Sequence, residues 1–388
     1  MKKWIALCAA FLLCFTCVKT GAPVVQAKEK VTLKVYNWGE YISDGSDDSL
    51  DVIKEFEKRF PDIKVSYTTY ATNEELYAKL RSGSANYDVI IPSDYMISRM
   101  IEEDMLEKLD FNNIPNFEAI SEEFKNPAYD PTNEYSIPYT WGTVGIIYNT
   151  TMVEEEVDSW DILWDPEYTN QILMFNNSRD AFGIAEKLLG YSQNTTDIEE
   201  LNAVAEKLKE QKIVLQAYVM DEIFDKMSSG EAAIAPYYAG DFLIMQEDNP
   251  DLAFAVPKEG TNLFIDAMVI PKGCEHKEEA ERFINFLLEP DIGLANIEFI
   301  GYSTPLDTVK EQLGEDVLND GISYPSEEVI ANSESFVNLP TDVNRYIDEL
   351  WVDIRASGSS SVWELVFLIV VIIGLGGALI VYLRRRNR

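Results

Sequence analysis

Tyr87-Asp88-Val89-Ile90-Ile91-Pro92-Ser93-Asp94 runs from an apolar strand straight into a helix-capping turn. The segment to Ile91 is rich in aromatic and β-branched side chains. Pro92 cannot donate to a ladder, and Ser93 and Asp94 offer oxygens to the first free N–H groups of a helix reaching Glu102. Asn73 to Arg81 has helical spacing just before it. Working outward, the same alternation recurs. Strands are expected at Val31 to Tyr36 and Ile63 to Tyr67, with a helix at Leu50 to Arg59 between them. Ser136 to Tyr148 is strand-like. A second series offers strands at Ile172 to Phe175, Ile213 to Ala217, Ala232 to Pro236 and Leu252 to Val256, separated by helices at Arg179 to Leu189, Ile198 to Glu210 and Asp221 to Met227. A last strand, Phe264 to Pro271, precedes helices near Glu278 to Leu288 and Asp291 to Phe299. Such alternation predicts an α/β protein with mainly parallel sheets, built as two lobes with a groove between them. Open α/β sheets place ligands where strand ends meet polar turns.

Composition narrows the function. The 388 residues carry 67 Asp plus Glu against 32 Lys plus Arg, a net charge of -35, which excludes a protein built to grip phosphate backbones, and no nucleic-acid partner is expected. His276 is the single histidine, so a multi-histidine metal centre cannot be assembled. No phosphate-cradling Gly-rich loop or cofactor motif is present, and neither a cofactor nor a metal is expected.

Both termini read as membrane signals. Lys2 and Lys3 precede an apolar run, and Val25-Gln26-Ala27 suits signal peptidase, so residues 1–27 are expected to be a secretory signal. Leu365 to Leu383 carries no charge over a length able to cross roughly 30 Å of hydrocarbon, and Arg384, Arg385, Arg386 and Arg388 follow. The expectation is a single-pass cell-membrane protein with its domain on the extracellular or periplasmic face and its C-terminus cytoplasmic. Between Lys28 and Ser361 there remain 25 basic and 66 acidic residues, a net charge of -41, a field that concentrates cations. Cys8, Cys14 and Cys17 fall in the signal, none preceded by the residue types of a lipoprotein cleavage site, so Cys274 stands alone and no internal disulfide is available. Cys274 and His276 share a turn and read as a surface loop.

Three clusters mix aromatics with carboxylates at expected strand ends: residues 36–41, 237–241 and 264–266. Carboxylates suit the nitrogens of an alkylammonium ligand, and aromatic faces suit both the nitrogens and the methylenes between them. Tyr36-Asn37-Trp38 with Glu40-Tyr41, Tyr67-x-x-Tyr70 with Asn73-Glu74, Tyr87-Asp88, Pro92-Ser93, Tyr135-Ser136-Ile137-Pro138-Tyr139-x-Trp141-Gly142 and Ile300-Gly301-Tyr302-x-Thr304-Pro305 together resemble bacterial spermidine/putrescine-binding proteins, the solute receptors of polyamine ABC transporters. The resemblance spans nearly all of residues 28–361.

It implies a two-lobed, type II periplasmic-binding fold. Residues 28–140 and 266–310 would form one lobe, 141–265 and 311–355 the other. Residues 356–361 would be a linker, 362–383 a transmembrane helix and 384–388 a basic tail. A monomer would capture a polyamine by hinge closure about 138–145 and 256–266, then deliver it to permease subunits. Trp38, Glu40, Tyr41, Ser93, Tyr95, Asp266 and Tyr302 would line the site. Tyr238 and Phe264 stand where the family commonly has tryptophan. Asn177 stands where the family has an acidic residue, and Asp180 replaces a longer glutamate; Asp241, from a neighbouring turn, would restore charge. Spermidine and putrescine both stay open. Alternatives are a receptor for another cationic solute or for ferric iron through Tyr237 and Tyr238, a surface sensor or adhesin on the same fold, and a paired-carboxylate glycoside hydrolase.

Overall fold

The computed structural model describes residues 30–83 and 86–357. The described strands are β1 (Val31–Trp38), β2 (Ile63–Tyr70), β3 (Val89–Ile90), β4 (Ser136–Asn149), β5 (Ile172–Phe175), β6 (Leu215–Val219), β7 (Ile234–Tyr238), β8 (Leu252–Ala255) and β9 (Leu263–Val269). Parallel pairing joins β1 to β2 over eight residue pairs and β1 to β3. A second parallel set joins β5 to β6 and to β7.

β4 connects the two sets, and its sequence explains why. All of its residues except Tyr148 are buried, so it reads as one apolar run covered on both faces. Residues 136–143 pair with β9, and from Val144 the partners become β7 and β8. These pairings are antiparallel, as is β3 with β9. The expectation of mainly parallel sheets is corrected accordingly: helical crossovers make the outer pairs parallel, while the central strands run against them. Buried Ser136 is satisfied by Asp130, whose Oδ2 accepts its N–H at 3.0 Å and its hydroxyl at 2.9 Å.

The carboxyl ends of β1, β2 and β3 on one side, and of β5, β6 and β7 on the other, lead into residues that border a single cavity. That geometry follows from the right-handed crossovers of parallel α/β units. Two helices of ten residues or more lie where no element was expected, beside three short ones between Asp307 and Asn332. Ala239–Asp248 carries Gly240 in its first turn, which masked its start, and Thr341–Ala356 lies against the helix Ile198–Gln211.

The expected signal at 1–27, span at 362–383 and tail at 384–388 lie outside the described residues. Among the described residues no helix is long and apolar enough to cross a membrane. The longest, Thr341–Ala356, has 16 residues and carries charges along its length. The described fold is the two-lobed α/β unit, and the transmembrane helix expected with it is not supported among the described residues.

Candidate functional site

Asp266 lies on β9 opposite Thr140 of β4, 5% exposed. The Tyr41 hydroxyl donates to its Oδ2 at 2.7 Å and also meets the Thr140 hydroxyl. Burial pushes the Asp266 carboxyl up to about 6, against the hydroxyls of Ser93 and Tyr41, which pull it down. Its Oδ1 is buried without a hydrogen-bond partner of good geometry. An unpaired buried carboxylate oxygen is costly, and a charged donor is its natural complement.

Around it opens a groove. From β1 and its turn come Trp38, Gly39 and Tyr41, and from the helix Asp94–Glu102 and its cap come Ser93, Asp94 and Tyr95. Across the groove stand Asn177, Asp180, Asp221, Tyr237, Tyr238 and Asp241. Phe264 and Tyr302 close the floor, and Phe336 approaches from the C-terminal segment. The aromatic rings interlock edge-on: Tyr238 against Phe264 at 5.4 Å and Tyr41 against Tyr302 at 4.7 Å between centroids. Tyr302 lies so close to the helix Ala239–Asp248 that a Cβ on Gly240 would come within 2.3 Å of its ring.

Six carboxylates line the groove, those of Glu74, Asp94, Asp180, Asp221, Asp241 and Asp266, and no lining residue is basic. Desolvation by burial is the first cause raising each of them. Asp94 is pushed up to about 8; its oxygens accept the backbone N–H groups of Tyr95 at 2.6 Å and Ile265 at 3.3 Å, so it also ties the helix to β9. Glu74 accepts from the Tyr95 hydroxyl at 2.9 Å. Arg179 is buried nearby without lining the groove; its guanidinium lies over the rings of Phe336 at 4.4 Å and Tyr95 at 5.4 Å and pulls Asp94 and Asp180 down against burial.

Eleven of the twelve residues expected at the site line this groove; the exception is Glu40. Glu40 is exposed, with a φ of +46° in the left-handed region, and stands near Asp221 at the rim rather than in the lining. Asn177 does not simply subtract a charge. Its Oδ1 caps the helix Ser178–Leu188 by accepting from Asp180 N at 2.8 Å, and its Nδ2 donates to Asp180 Oδ2 at 2.7 Å. Asp241 belongs to the first turn of a helix rather than to a loop. Sequence reasoning missed Glu74, Asp94 and Asp221 as lining residues, although each sits at a helix start beyond a strand. Cys274 is half-buried beside Asp88, with Sγ 3.2 Å from Oδ1, and burial pushes its thiol up to about 12.

Two lobes meeting over an acidic, aromatic groove define a solute-binding protein, and a family model described as bacterial extracellular solute-binding protein matches residues 84–320. The chain belongs to that family. A second model, described as a hypothetical lipoprotein, matches residues 1–119. Within the family the chain is a member of the spermidine/putrescine-binding branch. It is 34% identical over 358 residues to the spermidine/putrescine-binding periplasmic protein of Salmonella typhimurium, covering 92% of this chain and 99% of that one. It is 30% identical to the putrescine-binding periplasmic protein SpuD of Pseudomonas aeruginosa, covering 89% and 97%. The solved substrate-binding protein PotD of a Streptococcus pneumoniae spermidine/putrescine ABC transporter superposes with a TM-score of 0.70 at 38% identity, over 84% of this chain and 99% of that one. The Salmonella and Pseudomonas relatives are named as periplasmic proteins, which does not support the expected single-pass membrane location with a cytoplasmic C-terminus, and that expectation is corrected.

Proposed function

We propose that this protein is the receptor component of an ABC importer and that it captures a polyamine between its lobes. The observation that carries the reading is the groove itself: six carboxylates, no basic lining residue, and aromatic rings between them. Each ammonium of an alkyl polyamine needs an anionic partner, and each methylene run needs an apolar face. A cation-π contact contributes roughly 0.5–2 kcal/mol and a charge-assisted hydrogen bond roughly 1.5–3 kcal/mol. Two of each approach the ~8 kcal/mol of micromolar binding before ordering costs are subtracted.

In this reading Trp38, Tyr41, Ser93, Tyr95, Asn177, Asp180, Tyr238, Asp241, Phe264, Asp266 and Tyr302 contact or position the ligand. Residues 28–140 with 266–310, and 141–265 with 311–355, act as the two lobes, closing about 138–145 and 256–266. The change of partners along β4 between Thr143 and Val144 supports the first hinge, and the link from β8 to β9 supports the second. The closed form would then dock on permease subunits. Ferric coordination by Tyr237 and Tyr238 is disfavoured because burial and neighbouring carboxylates hold both phenols well above their usual range, away from the phenolate that iron needs.

Calorimetric titration of the purified full-length protein with spermidine and with putrescine tests the reading. Micromolar or tighter binding of at least one is expected, and no response to either overturns it.

A further inference from the structure

Asp221 stands on the loop after β6 and reaches across the groove to the turn after β1. A Cβ placed on Gly39 would lie 2.5 Å from Asp221 Oδ2 and 3.3 Å from its Cγ, so the missing side chain at position 39 is the seat of this carboxylate. Any other residue at 39 would push Asp221 outward.

The seat completes a row. Asp180 and Asp266 are both buried and Asp180 raises Asp266, with Tyr238 and Tyr41 donating to them. Asp241, 8% exposed, is as buried as Asp180, and Asp221, Glu40 and Asp266 all raise it. Asp221 is the outermost member, exposed at the rim, with Glu40 beside it. Asp266, whose Oδ1 is buried without a hydrogen-bond partner of good geometry, lines the same groove. A diamine can place its two ammonium groups on two of these buried carboxylates and leave the rim unmatched. A third ammonium needs a further partner, and an exposed carboxylate receives it without the full desolvation that a buried one demands.

We propose that Asp221, seated in the gap left by Gly39, is a specificity-determining residue that receives a third ammonium at the rim and so favours a triamine over a diamine. This rests on the polyamine reading above.

The test compares the affinities of the full-length protein and its Asp221→Asn variant for spermidine and putrescine, alongside their melting temperatures. Asn keeps the shape of Asp221, so the melting temperature should hold. Spermidine affinity should fall about tenfold and putrescine affinity about threefold or less, with a shallower salt dependence for spermidine. Gly39→Ser should reproduce the selective loss by displacing Asp221, and adding Asp221→Asn to it should cost little more. An unchanged spermidine-to-putrescine ratio in Asp221→Asn, with the wild type binding either amine, overturns the inference alone. A wild type that binds neither overturns the polyamine reading and this inference with it.

Discussion

The Tyr238 hydroxyl donates to Asp180 Oδ2 at 2.8 Å, and Asn177 Nδ2 donates to the same oxygen at 2.7 Å. Two neutral donors thus hold one carboxylate in place and oppose the effect of burial, which raises it. The arrangement trades a second negative charge for a fixed orientation of the first. Tyr238 also packs edge-on against Phe264, so the residue that positions Asp180 is itself part of the aromatic wall.

Replacing Tyr238 by Phe should separate those two tasks. The ring contact with Phe264 survives, whereas Asp180 loses one donor and becomes easier to protonate. Polyamine affinity at neutral pH should fall about three- to tenfold, near the ~1 kcal/mol of one hydrogen bond, with thermal stability little changed. Isothermal titration beside a melting curve checks both; equal affinities would show that Asn177 alone positions Asp180.

Asp266→Asn should have the larger effect. The variant keeps an acceptor for the Tyr41 hydroxyl but removes the charge beside the unpaired Oδ1. A buried carboxylate facing an ammonium is worth about 3 kcal/mol, so affinity should drop about 100-fold. Stability should hold or rise, because the variant no longer buries an uncompensated charge. Retained micromolar binding would remove Asp266 from the ligand contacts.

Much of this was legible beforehand because the lining residues lie at strand ends. Trp38 at the end of β1, Tyr238 at the end of β7, and Ser93 just past β3 follow directly from where apolar runs give way to polar turns. Asp266 came from the family resemblance and proves to lie within β9. Glu40 also came from the family resemblance, and the left-handed turn that leaves it exposed at the rim has no signature in strand alternation. The direction of β4 against β9 was also hidden, since a doubly buried strand has the same apolar pattern either way. Glu74 and Asp221 were missed for a non-local reason. Each begins a helix on a different side of the groove, and only the mutual placement of the two sides aims them at the same space.

The pH dependence follows from the raised carboxyls. Asp266 is held at about 6 in the folded chain, against 3.8 as its ordinary value. The folded state therefore binds the proton more tightly than the unfolded state. This group's contribution to stability is full below about pH 4 and is lost as pH rises through about 6. Ligand capture runs the opposite way, because an ammonium needs the ionised form. Affinity should climb between pH 5 and 7 with a proton released on binding, while alkyl amines, like lysine near 10.4, stay charged throughout. Calorimetry in buffers of different ionisation enthalpy counts that proton; a flat affinity profile across the interval would exclude Asp266 as the controlling group.

Gly240→Ala tests the floor of the groove. The new Cβ would lie 2.3 Å from the Tyr302 ring, so the ring must shift. Tyr302 packs edge-on against Tyr41 at 4.7 Å, and Tyr41 in turn donates to Asp266. Displacing one ring therefore disturbs the hydroxyl that orients the central carboxylate. Overpacking of this kind costs about 1–3 kcal/mol of stability, partly offset by the better helix propensity of Ala. Affinity should fall together with the melting temperature. Pairing the change with Tyr302→Leu, which gives up the ring, should recover stability without recovering affinity, because the aromatic face is then gone. Recovery of both by the double variant would show that Tyr302 serves packing alone and touches no ligand.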